Sequence, residues 1–348
     1  MRILTQLPQP DLVQVPAAAR AAEAAGYDGL VTSENKNDPF LALGVAAVNT
    51  TRVTLQTSIA IAFSRSPMAV ANASWDLQVA SRGRFVLGLG SQVRAHNENR
   101  FSVPWSPPAP RLREYVLALR AIWRNWETGE KLDFRGGHYK FTLMTPNFTP
   151  GSTHQPPIPV TIAAVGPAML RVAGEVCDGV RLHGFCTRRY IDEVVMRELR
   201  AGMMKGDRAR GRFEISGGGF IATGPDEASV ARMVEWVRTR VAFYGSTPAY
   251  WPVLEAHGLH DLGRKLNAMS KAGQWDQMAR EISDDVVREF AAIGTHKELA
   301  DAVTARFGGV ADTVALSGGY GIHQEIPPDL IQDIRRIPSP FTGHLSAW

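Results

Sequence analysis

Residues 158–185 read IPVTIAAVGPAMLRVAGEVCDGVRLHGF, and the succession of patterns inside this stretch decides the fold. Residues 159–165 are almost continuously apolar, without the in–out alternation of a half-exposed strand. A strand of that kind needs cover on both faces, which a parallel sheet flanked by helices provides. Gly166 and Pro167 follow: glycine lets backbone approach closely, and proline suits the first helical turn, where its missing N–H costs little. A helical pattern runs over 167–176, and a second apolar run starts at Asp178. This is one β/α unit followed by the next strand.

The same unit repeats outward in both directions. Residues 2–7 (RILTQL) read as a first strand, 12–25 as a helix stopped by Gly26, and YDGLVTSE as a second strand. A helix opens at Asp38-Pro39. Residues 53–63 form a third strand, a helix begins at Pro67, and RFVLGLG at 84–90 is the fourth. After the fifth and sixth strands, FEISGGGFIATG is the seventh, and DTVAL at 312–316 the eighth. Helices are expected at roughly 188–204, 226–243, 295–306 and 328–336. Eight strands separated by helices predict an α/β fold, a (β/α)8 TIM barrel forming one domain over residues 1–348. A doubly wound sheet shares this rhythm, because periodicity does not reveal closure. Two stretches, 91–157 and 244–292, break the rhythm. They read as insertions near the C-terminal face, where such segments build a barrel's pocket.

The composition is that of an ordinary globular protein: 45% of the 348 residues are hydrophobic and 21% charged. Lys and Arg number 38 against 34 Asp and Glu, giving +4, with no long basic run. Neither nucleic acid nor membrane is an expected partner, and the mild positive charge is compatible with an anionic cofactor. The N-terminal segment lacks the pattern of a signal peptide, and no apolar run approaches the ~20 residues that span a bilayer, so a cytoplasmic protein is expected. Cys177 and Cys186 form no Cys-x-x-Cys motif. Cys177 reads as a small buried hydrophobe.

Motifs narrow the chemistry. GLGSQV at 88–93 follows a strand but lacks the third glycine of a dinucleotide fingerprint, and the next clear helix begins about twenty residues later. No Walker A, G-x-S-x-G or H-E-x-x-H occurs, and His257 and His260, separated by Gly-Leu, make a poor zinc pair. No metal is expected. The turn Val165, Gly166, Pro167, Ala168, Met169 reads either as an ordinary strand-to-helix turn or as a phosphate seat at a helix N-terminus. Glu34 and Asn35 close the second strand, on the face where barrel chemistry sits, and His183 lies near the end of the sixth. The segment from Gln92 through Arg94, His96 and Asn97 follows the fourth; each is either a solvated polar group or part of a site.

Together these segments resemble the luciferase-like monooxygenase superfamily, particularly its F420-dependent oxidoreductase branch. The matching pieces are AAEAAGYDGLVTSE, DPFLAL, TLQTSIAIAFSRSPMAVA, SRGRFVLGLGSQ, AHNENRFSVPW, LREYVLALRAIW, IPVTIAAVGPAMLRVAGEVCDGV and IGTHKELADAV. The resemblance implies a deazaflavin or flavin at the strand C-terminal ends, lying against a bulge in the third strand with a cis peptide at Ser58-Ile59. It further implies cofactor contacts at Glu34, Gln92 and Asn97 and a phosphate at 165–169. Several F420 enzymes carry an acidic residue followed by His at the end of the second strand. Here the pair is Glu34-Asn35, and Asn does not act as an acid or base near neutral pH. His96, then His183, are the substitutes.

The resemblance implies hydride transfer between coenzyme F420 and a small organic substrate. The alternatives are an FMN-dependent monooxygenase fed by a separate reductase, and a non-catalytic flavin-binding barrel, the latter suggested by the missing His at position 35. A homodimer is implied too. Arg94, Arg100, Arg111 and Arg113 are expected to meet the anionic F420 tail.

Overall fold

The structure is a computed structural model that describes residues 1–316 and 325–348. Apart from a small antiparallel pair, Phe134–Arg135 with Lys140–Phe141, its strands are β1 (Arg2–Gln6), β2 (Gly29–Thr32), β3 (Thr54–Thr57, resuming as Ala60–Ile61), β4 (Phe85–Gly90), β5 (Val160–Ala164), β6 (Gly179–Leu182), β7 (Glu214–Gly217), β8 (Phe220–Gly224), β9 (Ala291–Thr295) and β10 (Thr313–Ala315). β1 pairs with β2, β2 with β3, β3 with β4, and so on to β7, which pairs with β10; β10 returns to β1. All of these pairings are parallel, so the ring is a closed eight-stranded barrel and the open-sheet alternative is excluded. Helices cover the outside. β2 and β4 are buried along their whole length, which is why their sequences do not alternate.

Local chemistry sets the helix ends. Ser66 accepts from Met68 N–H at the start of the helix Pro67–Ala80, and Asp226 from Ser229 N–H at the start of Glu227–Gly245. Gly26 ends Val15–Ala25 in the left-handed conformation, φ 97°. Three aspartates do one job around the barrel's lower rim. Each stands immediately before a strand and accepts the N–H of a neighbouring strand: Asp28 from Ile3, Asp178 from Val160 and Asp312 from Ile215, at 2.7–2.9 Å. Asp178 is buried, and Arg120 and Arg208, at 2.8 and 3.0 Å, outweigh the burial and hold its carboxyl below the usual range. The sequence repeats Tyr-Asp-Gly, Cys-Asp-Gly and Ala-Asp-Thr at these places are thus one structural device.

The structure corrects three expectations. FEISGGGFIATG is two strands, because Gly217, Gly218 and Gly219 take φ of 80°, 107° and 157° and turn the chain out of the barrel. β8 then pairs with β9, a strand absent from the sequence reading, in a separate two-stranded parallel sheet. Within 91–157 a short helix, Arg94–Asn99, begins four residues after β4, and the long helix starts at Pro108. No described helix is long and apolar enough to cross a membrane.

Candidate active site

β3 breaks between its two pieces, and the Ser58-Ile59 peptide there is cis, as the resemblance implies. The end of β2 grips this break. Ser58 N–H donates to Thr32 O at 2.7 Å, Ser33 Oγ donates to Ser58 O at 3.0 Å, and Glu34 N–H donates to Ile59 O at 3.1 Å. The Glu34 side chain folds over the same segment. Its Oε2 accepts from Ile61 N–H at 2.6 Å, and both oxygens accept from Arg65 Nη1 at 2.7–2.8 Å. Arg65 is raised above the usual guanidinium range: burial opposes this, and Glu34 and Asp38 overcome it. Glu34 therefore orients the break, with both oxygens engaged as acceptors.

The two glycines of Gly88-Leu89-Gly90 answer to this architecture. A Cβ on Gly88 would lie 2.0 Å from Thr57 O, and one on Gly90 would lie 2.5 Å from Ile59 Cδ1. They are packing glycines between β3 and β4, which is why the fingerprint is incomplete.

Beyond β4, Gln92 takes φ 57° and its Oε1 accepts from Val93 N–H. Asn97 is buried. Its Nδ2 donates to Ser91 O at 2.9 Å and Val93 O at 3.2 Å, fixing the loop, while its buried Oδ1 has no partner among the described residues. His96, one residue earlier, is exposed. Arg100 ties this short helix to the end of β2 by donating to Asn35 O. The helix Pro167–Val176 starts at Gly166 with no side-chain cap, and nothing lies within 4 Å of the position a Gly166 Cβ would take. The uncapped N–H groups of Ala168 and Met169 stand at the positive end of the helix dipole, beside open space.

A cavity of about 540 Å³ occupies the barrel mouth, and Asn35 and Ser58 line it. Sequence reasoning missed its other polar lining residues, among them Gln6, Arg181, Ser216, Arg240 and Tyr244. Arg181 projects from β6, fully buried, with Nε on Thr161 Oγ1 at 2.9 Å and Nη2 on Gln56 Oε1; burial lowers its pKa. A charged residue inside the apolar run DGVRLHGF was the available signal.

His183 is wedged against Tyr244 and Tyr250, with ring centroids 4.4 and 4.9 Å away, and its Nδ1 accepts from Phe185 N–H at 2.9 Å. Burial lowers its pKa to about 4, so it is neutral near pH 7 and can donate only the Nε2 hydrogen bond. The four arginines expected to meet an anionic tail are largely engaged. Arg94 pairs with Glu98, Arg113 with Glu175, and Arg111 bonds Tyr139 OH while stacking on Phe63 at 4.3 Å. Cys177 and Cys186 are buried, and their thiols are pushed up to about 12. His257 bonds Thr187 Oγ1 at 2.8 Å, and no cluster of metal-ligating side chains occurs among the described residues.

Comparison with known proteins matches this geometry to one family. An uncharacterised protein of Mycobacterium tuberculosis is 46% identical over 93% of this chain and 95% of its own length. The 5,10-methylenetetrahydromethanopterin reductase of Archaeoglobus fulgidus is 27% identical over 82% of this chain and 83% of its own. The structure of the coenzyme F420-dependent tetrahydromethanopterin reductase of Methanopyrus kandleri superposes with a TM-score of 0.76, covering 97% of both chains at 19% identity. The luciferase-like monooxygenase family model matches residues 3–313, and the chain belongs to that family.

Proposed function

We propose that this chain is an F420-dependent oxidoreductase that moves a hydride between coenzyme F420 and a small organic substrate. Its relationship to F420-dependent reductases supports the cofactor class. The observation that carries the reading is the buried Asn97 Oδ1, without a partner among the described residues, in the loop after β4, with the uncapped helix start at Gly166 directly after the neighbouring β5. A buried acceptor left unpaired costs about 1–3 kcal/mol, and a donor from a bound ring removes that cost. The donors at Ala168 and Met169 suit the cofactor's phosphate.

Bound F420 would supply the hydride chemistry. The protein's share is positioning. Glu34, locked by Arg65 and Ile61 N–H, fixes the Ser58-Ile59 segment, which would form part of the bed for the cofactor. Gln92 and Asn97 would hold the cofactor's polar groups, and residues 165–169 would hold its phosphate. Asn35, lining the cavity, donates a hydrogen bond to the substrate oxygen on which charge develops. His96 moves the proton. A homodimer, a cytoplasmic location and a separate enzyme that renews the cofactor belong to the same proposal.

Equilibrium titration of the purified protein with F420 and with FMN is the test. Saturable F420 binding with weaker FMN binding is expected. Tight FMN binding without F420 binding would replace this reading with a flavin monooxygenase, and F420 binding without turnover across a substrate screen would leave a cofactor-binding barrel.

A further inference from the structure

We propose that the substrate is an aromatic carboxylate, received by Arg240. This rests on the reading of the barrel mouth as the reaction site and names its substrate class. Two cationic side chains, Arg181 and Arg240, line the cavity, and no Asp or Glu does so among the described residues. The two cations differ. Arg181 lies deep in the barrel, where its Nε donates to Thr161 Oγ1 and its Nη2 to Gln56 Oε1. Arg240 is half-buried on the helix Glu227–Gly245, with its guanidinium 5.3 Å from the Trp236 ring and no ion-pair or hydrogen-bond partner among the described residues.

Three arginines on the surrounding elements are paired with carboxylates, Arg65 with Glu34 and Asp38, Arg238 with Glu235 and Asp284, Arg188 with Asp192, while Arg306 is buried and donates to the Cys186 and Gly218 carbonyls. Arg240 is therefore a cation held at a cavity wall with its charge unspent. Stacking on Trp236 fixes the guanidinium plane and leaves its edge donors for a ligand. That edge presents two parallel N–H groups, matching the two oxygens of a carboxylate. A phosphate fits less well, since the second cation of the cavity, Arg181, is already hydrogen-bonded to Thr161 and Gln56.

The walls beside it are aromatic. Phe220 meets Trp236 edge-to-face at 5.8 Å, and Tyr244, one helical turn beyond Arg240, lines the same cavity. Aromatic walls beside the one guanidinium without a partner among the described residues favour a flat apolar body ending in one carboxylate.

Calorimetric titration with benzoate and with benzamide tests this, since the two probes share shape and differ in charge. Benzoate should bind the wild type at least tenfold more tightly than benzamide. Arg240→Gln should abolish that preference, Arg240→Lys should restore part of it, and neither should alter benzamide binding. Circular dichroism melts of the same samples report whether the variants are folded, and F420 titrations test the cofactor reading. If Arg240→Gln does not fold, the drop in preference in Arg240→Lys decides. Benzoate binding no tighter than benzamide, absent to millimolar concentration, or unchanged in the variants would each overturn the proposal. F420 failing to bind the wild type would overturn the cofactor reading alone, because the benzoate experiment requires no cofactor.

Discussion

Ile59 occupies the space that a side chain at residue 90 would need: a Cβ on Gly90 would lie 2.5 Å from Ile59 Cδ1 and 3.8 Å from Ala163 Cβ. Ile59 thus leans across β4 toward β5, and glycine at 90 permits it. Gly90→Ala should push the Ile59 side chain off its seat at a cost of about 1–3 kcal/mol, the usual range for overpacking. The fold should survive and cofactor affinity should fall. Gly88→Ala differs, because there the obstacle is the Thr57 carbonyl at 2.0 Å, which is backbone. That variant should lose more stability than Gly90→Ala. Denaturant unfolding of both, with F420 titration of Gly90→Ala, checks the contrast. Equal stability losses would show that the β3–β4 contact is not organised this way.

Gly166 gives a cleaner probe of the phosphate seat. Its φ of −81° and ψ of 157° suit any residue, and the space around its missing Cβ is open. Gly166→Val should therefore fold normally while filling the room over the helix start, and F420 affinity should drop at least tenfold with little change in melting temperature. Unchanged affinity in a folded Gly166→Val protein would move the phosphate elsewhere.

The barrel was legible because its strands are apolar on both faces, as β2 and β4 are along their whole length. The turn-out at 217–219 was visible as three glycines, yet the apolar pattern continues through them and masks the change of sheet. β9 reads AAIGT, too short and too poor in β-branched residues to stand out, and it forms because β8 offers it a partner. The helix Arg94–Asn99 carries RAHNEN, without an apolar stripe for periodicity to detect. In the proposed site, Glu34, Ser58, Ile59 and Asn97 were candidates through the resemblance. Arg240 was not, because its role depends on which way the helix Glu227–Gly245 turns its face, a tertiary fact that no local pattern records.

His183 makes stability depend on pH. Its pKa falls from 6.5 to about 4 on folding because burial disfavours the imidazolium. Between those values the unfolded chain binds more protons than the folded one. The contribution is therefore complete above pH 6.5 and is lost as pH falls toward 4, and its size is of the order of 3 kcal/mol. His183→Asn keeps an acceptor for Phe185 N–H and removes the titration. Unfolding measured from pH 7.5 to 4.5 should show a shallower loss in this variant than in the wild type. Parallel curves would mean that His183 is charged in the native protein.

The proton carrier is the last element to assign, and the candidates separate on geometry. Hydride transfer to a carbonyl leaves negative charge on oxygen, which a donor must stabilise and an acid must quench. Glu34 has both oxygens engaged with Arg65 and Ile61 N–H. Asn35 can donate a hydrogen bond without surrendering a proton. His183 is neutral near pH 7, and its Nδ1 is taken by Phe185 N–H. His96 carries no such engagement. It is exposed, one residue from the loop-fixing Asn97, on a helix that Arg100 ties to Asn35 at the end of β2. An imidazole open to water can take up and pass on a proton between turnovers. His96→Ala should lower kcat by about 10²-fold with F420 affinity nearly unchanged. His183→Asn should lower kcat by less than tenfold. If His96→Ala retains full kcat across pH 5.5–8.5, water reaching the cavity delivers the proton directly, and the 94–99 helix serves only to bring Asn97 to the cofactor.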